Sequence, residues 1–244
     1  MCQLRVPTHR CSLTTVTNAW HVEWVAETGS TNADLLAAGA AGAPDRTVLA
    51  ADHQTAGRGR LDRRWEAPPA ANLLATLLLR HVPAHPHELT QRVALAAAIA
   101  CERTAAVSPT LKWPNDLLLD GAKLAGVLAQ AGDGFVVVGI GLNVGWAPPD
   151  ATRLGDGVTP RQVLDALLAA FDELAPMAAR GDITELYRSR LATIGQHVRV
   201  ELPGDRVITG RAVDVEPDGR LVMLDDCAIT HRIDTGDMVH LRPG

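Results

Sequence analysis

Between Gln54 and Trp65 the chain reads Gln-Thr-Ala-Gly-Arg-Gly-Arg-Leu-Asp-Arg-Arg-Trp, which places Arg58, Arg60, Arg63 and Arg64 in one short segment. Gly57 and Gly59 open it and Trp65 closes it. Guanidinium forks carry a permanent charge shaped for phosphate and carboxylate oxygens, and glycine lets backbone turn tightly or approach a ligand. The segment therefore reads as a mobile loop that folds over a polyanion, with an indole free to cover a flat ring. A solvated basic turn or an arginine-glycine RNA-binding element has the same pattern. The whole chain carries a net charge of −5, so the cationic loop is a local feature.

Four other groups could do chemistry. Ser30, Thr31 and Asn32 stand where a helical stretch begins; they supply an N-cap, or the mixed donors and acceptors that a neutral polar ring needs. Asn115 and Asp116 follow Pro114, which ends its strand, so an amide and a carboxylate sit at a turn. Lys123 opens a stretch of small and apolar residues, a poor place for an idle ammonium unless it lies at an edge. Gly139 and Gly141 interrupt a Val- and Ile-rich strand, which glycine weakens unless a ligand or another backbone must come close.

The elements that would hold these groups follow from periodicity. Strands are expected at 21–25, 47–53 and 72–80, the last buried on both faces. A helix is expected at 32–41, and another at 88–105 that packs across the sheet. A strand ends at the proline, and hairpins follow through 117–119, 123–130 and 135–142. Residues 150–157 read as a surface loop, and 159–174 and 183–191 as helices. From 195 the pattern changes to short strands at 198–202, 207–215, 221–224 and 238–241, with turns at 203–205 and 217–219. Residues 1–19 read as a loose arm or an irregular helix, too short for a helix-turn-helix module.

At 244 residues, with 47% hydrophobic and 21% charged residues, the chain suits one large globular domain and a small one. Its acidity, with two Phe and one Tyr, argues against a protein that coats RNA or DNA. Cys2, Cys11, Cys101 and Cys227 have no metal or disulfide spacing and read as reduced thiols. The first residues lack the apolar core of a secretory signal and no run is long enough to span a membrane, so a cytoplasmic protein is expected.

Taken together, Gly-Ser-Thr-Asn at 29–32, the Gly-Arg-Gly-Arg…Trp loop, Leu-Lys-Trp-Pro-Asn-Asp at 111–116, Lys-Leu-Ala-Gly-Val-Leu at 123–128 and Gly-Ile-Gly-Leu-Asn at 139–143 resemble the catalytic domain of biotin–protein ligases over about residues 20 to 145. The tail resembles the small β-barrel those ligases carry. The resemblance implies an α+β fold, a mixed and mostly antiparallel sheet with flanking helices, divided as 20–190 (biotin/ATP-binding catalytic domain) and 195–244 (SH3-like β-barrel). It implies a monofunctional enzyme, a monomer or weak homodimer, that uses ATP and Mg²⁺ to make biotinyl-5′-AMP. The biotin then passes to a lysine of the biotin carboxyl carrier domain of an acyl-CoA carboxylase, with no role for DNA. Lipoate or octanoate ligases and transferases share the architecture and are the alternative, but they lack the arginine loop.

Carried over residue by residue, the resemblance gives Ser30, Thr31, Asn32 and Gln54 to the biotin head group. Arg58, Gly59 and Arg60 go to the carboxylate–phosphate junction, and Lys123 bridges the carboxylate and α-phosphate. Gly126, Gly139 and Gly141 shape the floor, and Trp65 covers the adenine or the valeryl chain. Asn115 and Asn143 bind the nucleotide, and Asp116 orients or deprotonates the acceptor lysine. One departure is Asp62, which stands where the family loop has glycine; its carboxylate sits beside the cations meant for phosphate.

Overall fold

The computed structural model describes residues 15–17, 20–61, 63–202, 204, 206–234 and 237–240. Eight strands share one sheet: β1 (Thr15–Thr17), β2 (Trp20–Thr28), β3 (Thr47–Gln54), β4 (Leu73–Leu79), β5 (Thr110–Lys112), β6 (Asp116–Leu119), β7 (Ala122–Gly132) and β8 (Phe135–Leu142). Their order across the sheet is β1-β2-β3-β4-β8-β7-β6-β5. Strands β2 and β3 run parallel because helix α1 (Thr31–Ala40) carries the chain back between them. The other neighbours are antiparallel, giving the mixed, mostly antiparallel sheet expected. The β6–β7 hairpin turns on Asp120 and Gly121, at φ of 52° and 79°, the backbone that a two-residue hairpin loop requires.

The two faces of this sheet are covered differently. Helices α2 (His87–Ala105) and α3 (Pro160–Glu173) pack over one face, where Leu77, Val93, Ala97, Val138, Leu164 and Phe171 belong to one buried cluster. Thr159 and Gln162 start α3 with reciprocal capping bonds. Helix α1 covers only part of the other face, where its Leu35 packs in one cluster with Leu49, Leu78, Phe135 and Val137. Side chains alternate across a strand, so Leu77 and Leu79 join the first cluster and Leu78 the second. Two short helices follow, α4 (Ala175–Arg180) and α5 (Ile183–Ser189).

The tail forms a small all-β unit of five antiparallel strands: β9 (His197–Leu202), β10 (Arg206–Val215), β11 (Leu221–Asp225), β12 (Thr230–Ile233) and β13 (Asp237–His240). Their order is β12-β11-β10-β9-β13.

Three elements depart from expectation. Residues 15–17 form a strand on the edge of β2 where a loose arm or helix was expected. Neither α4 nor β12 was anticipated; each is six residues or fewer and too short for a periodic signal. The rest of the N-terminal arm, Asp62, and Pro203 and Asp205 of the 203–205 turn lie outside the described residues. Among the described residues no helix is long and apolar enough to cross a membrane.

Candidate active site

A cavity of about 350 Å³ opens on the α1 face of the sheet, beyond the end of α1. All fifteen residues singled out from the sequence line it, including Arg58 and Lys123, which face the same space. Six cationic side chains line it (Arg58, Arg60, Arg63, Arg64, Lys112 and Lys123) against two carboxylates, Glu66 and Asp116. An acidic chain thus concentrates positive charge in one hollow.

At one end lies the start of α1. Ser30 is the N-cap residue but makes no side-chain capping bond. Gln54, at the end of β3, does the work across space: its Oε1 accepts from the Thr31 backbone N–H at 2.7 Å and from the Thr31 hydroxyl at 3.0 Å. Asn32 Nδ2 donates to Leu128 O at 3.1 Å and to Gln130 Oε1 at 3.0 Å. Its Oδ1 lies 2.7 Å from the Thr76 hydroxyl, which is also 2.8 Å from Thr31 Oγ1, so one proton serves two acceptors. Asn32 therefore spends its amide on the protein. The Ser30 hydroxyl and the Gln54 Nε2 group remain as the polar ends at this wall.

The glycine floor is specific in what it admits. Gly126 and Gly141 are directly paired between β7 and β8. A Cβ on Gly141 would lie 2.4 Å from Trp65 Cε2, and one on Gly126 would lie 3.4 Å from Trp65 Cζ3. Gly139 instead makes room for Asn32, whose Oδ1 a Cβ would meet at 1.9 Å. The arginine loop holds Trp65 down as a tight hairpin: Trp65 N bonds Gly57 O at 3.0 Å and Gly59 N bonds Arg63 O at 2.6 Å. Trp65 Nε1 is buried and has no hydrogen-bond partner among the described residues.

At the other end are the ionisable groups. Lys123 Nζ lies 2.6 Å from Asp116 Oδ1 and 5.8 Å from the centre of the Trp65 ring. A β-bulge makes this possible. The β6–β7 register shifts between Leu117 and Leu118, which leaves Leu124 as the extra residue. Leu124, Ala125 and Val127 join the opposite core. The bulge returns Lys123 to the face of Gly126, which simple alternation would deny it.

The turn after β5 is held from several sides. Asn115 Nδ2 donates to Val127 O at 2.7 Å, and Arg60 reaches Asn115 Oδ1 at 3.4 Å. Trp113 is anchored in the tail, its N–H on Thr193 Oγ1 at 3.0 Å and its Nε1 on Gly219 O at 2.9 Å. The Tyr187 hydroxyl lies 3.4 Å from Pro114 O, and burial together with nearby Asp116 pushes its pKa up, so it stays a neutral phenol. Asn143 is buried with both ends occupied, accepting from Asn72 Nδ2 at 3.2 Å and donating to Thr152 O at 3.0 Å. It braces the wall.

Sequence reasoning overlooked Thr76, Lys112 and Met238. Thr76 is a lone hydroxyl in the apolar run of β4, a signal that was available. Met238 reaches the cavity from β13 in the tail, which no local pattern announces. Among the described residues no three His, Cys, Asp or Glu side chains gather as a metal cage.

Comparison with known proteins agrees with this geometry. Residues 27–145 match the biotin/lipoate A/B protein ligase family, and residues 193–241 match the biotin protein ligase C-terminal domain. The biotin–[acetyl-CoA-carboxylase] ligase of Mycobacterium tuberculosis is 44% identical over 236 residues, covering 89% of this chain and 88% of that protein. A bifunctional ligase/repressor of Bacillus subtilis is 31% identical over 205 residues, covering 74% of this chain and 62% of its own length. The structure of Aquifex aeolicus biotin protein ligase with biotin and ATP superposes with a TM-score of 0.79 at 26% identity, covering 90% of this chain and 99% of that one.

Proposed function

The chain belongs to the biotin protein ligase family, and from that membership we propose how its own residues divide the work. The enzyme activates biotin with ATP to biotinyl-5′-AMP and pyrophosphate, then passes the biotinyl group to a lysine of an acyl-CoA carboxylase's biotin carboxyl carrier domain. Residues 20–190 form the catalytic unit and 195–244 the small β-unit, which contributes Met238 to the cavity.

The observation that carries this reading is the polarity of the hollow: neutral donors and acceptors at one end, glycines and an indole between, and ammonium and guanidinium groups at the other. A ureido ring suits Ser30, Thr31 and Gln54, with the Thr76 hydroxyl tying Thr31 to Asn32. The valeryl chain lies along Gly126 and Gly141 under Trp65. Its carboxylate arrives beside Lys123 and the arginine loop.

In the first step a carboxylate oxygen bonds to the α-phosphorus, and the bond to the α,β-bridging oxygen breaks with its electron pair leaving on pyrophosphate. Two like charges about 4 Å apart repel by about 4 kcal/mol at an effective dielectric near 20. Lys123, Arg58 and Arg60 offset this, and because they are positioned before reaction they reorganise little. Lys123 leaves Asp116 to do so, or shares its protons with both. Arg60 is placed by Asn115, which faces the nucleotide, and Asn143 supports that wall. Mg²⁺ accompanies ATP on its phosphates.

In the second step the acceptor amine attacks the acyl carbon, and AMP leaves with the electrons of the anhydride bond. Asp116, freed from Lys123, takes the amine's proton. No covalent enzyme intermediate is needed. Buried Cys101, its thiol pushed up to about 12 by desolvation, stays protonated and inert.

Calorimetry with biotin followed by ATP, with lipoate as a competitor, tests the reading. Biotin heat followed by biotin-dependent pyrophosphate release, with no response to lipoate, is expected. Turnover with lipoate and none with biotin would move the chain to the alternative acid.

A further inference from the structure

Strand β5 is the last strand of the large sheet and only three residues long. Three residue pairs with β6 give it little hold of its own. Its outer side is taken by the segment that leads into the tail. Leu111 N donates to Arg190 O at 2.9 Å and Ala192 N to Leu111 O at 2.8 Å, a parallel bridge centred on Leu191. Trp113 comes next, and both of its donors leave the large sheet. The backbone N–H meets Thr193 Oγ1 at 3.0 Å, and the indole Nε1 meets Gly219 O at 2.9 Å.

The acceptor of that indole bond sits in a shaped turn. Gly219 lies between β10 and β11 at a φ of 88°, and its N–H returns to Glu216 O at 2.8 Å. Two constraints ask for glycine here. Backbone at this φ disfavours a side chain, and a Cβ would lie 2.6 Å from Cγ of His87, the first residue of α2. Arg220 pairs with Asp218 at 2.7 Å and with Glu216 at 3.1 Å, which braces the turn. The turn is thus wedged between α2 and the indole of Trp113, which is 2% exposed. A hydrogen bond in so dry a place holds its direction firmly.

Asp116 stands three residues past Trp113, 2.6 Å from Lys123 Nζ. Pro114, between them, has a fixed φ and transmits a rotation of the Trp113 peptide instead of absorbing it. We propose that Trp113 is a positioning residue for acyl transfer: held by Gly219 of the tail, it sets the direction in which Asp116 presents its carboxylate to the acceptor amine. This rests on the role proposed above for Asp116. In that step the amine nitrogen bonds to the acyl carbon, its proton passes to the Asp116 carboxylate, and the electron pair of the anhydride bond leaves on AMP. Trp113 exchanges no bond or proton and acts through the turn. The tail therefore bears on transfer without supplying a reacting group.

Trp113→Phe keeps a ring in the buried space and deletes the indole N–H. Transfer from preformed biotinyl-5′-AMP to a biotin carboxyl carrier domain should slow by about ten- to a hundredfold, the cost of misplacing a catalytic group by about an ångström. Biotin affinity by calorimetry should stay within about twofold, because Thr31 and Gln54 are held from α1 and β3. Hydroxylamine is already neutral in neutral buffer and needs no base, so its attack on the bound adenylate should also stay within about twofold. Gly219→Ala should give the same split by driving the turn off His87, and adding His87→Ala should recover part of the lost rate; either Trp113→Phe or Gly219→Ala decides if the other fails to fold. Arg188→Gln removes the 2.6 Å bond to Val215 O elsewhere in the same joint; it should lower the melting temperature and leave transfer alone. Unaltered transfer in the folded variants would overturn the proposal. So would a loss shared by hydroxylamine and biotin binding, or an equal loss in Arg188→Gln. An unaltered enzyme that passes biotin from the adenylate to the carrier keeps the ligase reading standing whatever these variants do.

Discussion

Strands β4 and β8 carry two unlike surfaces on one backbone. Toward α2 and α3 they present Leu77, Leu79, Val136 and Val138, closed by helices into continuous apolar packing. Toward α1 the same strands begin with Leu78 and Val137 and then give way to Thr76, Gly139 and Gly141. Where bulk stops, the cavity starts. One face stabilises by filling space. The other withholds side chains at chosen positions, and its polar groups are tied so closely (Asn32 to Leu128, Gln130 and Thr76) that the hollow keeps its shape. The comparison teaches that this site is made as much by omitted side chains as by those supplied.

The contrast can be broken hardest at the charged end of the open face. Lys123→Ala removes an ammonium that offsets about 4 kcal/mol of repulsion, so adenylate formation should fall about a thousandfold. Circular dichroism and thermal melting should change little, because Lys123 is partly exposed and its one ion pair among the described residues is the 2.6 Å contact with Asp116. Near-normal pyrophosphate release from this variant would remove Lys123 from the chemistry.

A pair of substitutions then sets the faces against each other. Leu77→Ala on the closed face leaves a cavity in a fully buried position and should cost about 2–5 kcal/mol of stability by denaturant unfolding, with biotin affinity intact in the folded fraction. Gly141→Ala on the open face drives a Cβ to 2.4 Å from the Trp65 ring. It should weaken biotin binding by roughly ten- to a hundredfold while costing less stability than Leu77→Ala. Should Gly141→Ala unfold the protein as readily as Leu77→Ala and leave affinity alone, the two faces would not differ as described.

Thr76→Val is a smaller change on the same open face. It keeps the shape and removes the proton shared by Asn32 and Thr31, leaving an amide oxygen without its donor at a cost of about 1–3 kcal/mol. Calorimetry should show biotin bound about tenfold more weakly and the melting temperature lowered only slightly. Full affinity would mean that Asn32 holds its place without Thr76.

How much of this was legible in the sequence differs between the same two faces. The closed face follows from periodicity: the α2 and β4 patterns specify their burial directly, and the expected ends of both fall within a residue or two of those observed. The site's residue types were legible too, since the arginine loop and the glycine pairs are local patterns. What those residues bond to was not. Asn32 and Asn143 read as ligand contacts, yet both spend their amides on the protein, because the partners Leu128, Gln130, Asn72 and Thr152 come from other strands and loops. The Leu124 bulge that turns Lys123 toward the cavity has no signature in its own residue type. Trp113 read as part of a motif, but its indole is fixed by Gly219 of the tail, 106 residues away. Long-range partners decide these roles, and period and propensity contain no term for them.

The smallest expected effect concerns the cations outside the hollow. An acyl-adenylate that escapes the cavity acylates any neutral amine it meets, and the chain's two ε-amines both lie inside, so its outer surface offers arginine where other proteins offer lysine. Arg180→Lys places an ε-amine at a position whose side chain is 61% exposed. Incubated with biotin and ATP but no acceptor, this variant should gain a biotinyl amide at that position, detectable by mass spectrometry as a minor species. An exposed ε-amine has a pKa of about 10.4, so its neutral fraction, and with it the labelling rate, should rise about tenfold per pH unit between roughly pH 7 and 9. The unaltered protein has arginine at that position, which offers no ε-amine to acylate, and should stay unlabelled there. If free biotinyl-5′-AMP accumulates in solution and the variant is still not labelled, a surface without ε-amines protects nothing, and the contrast between the cations inside and outside the cavity loses its chemical meaning.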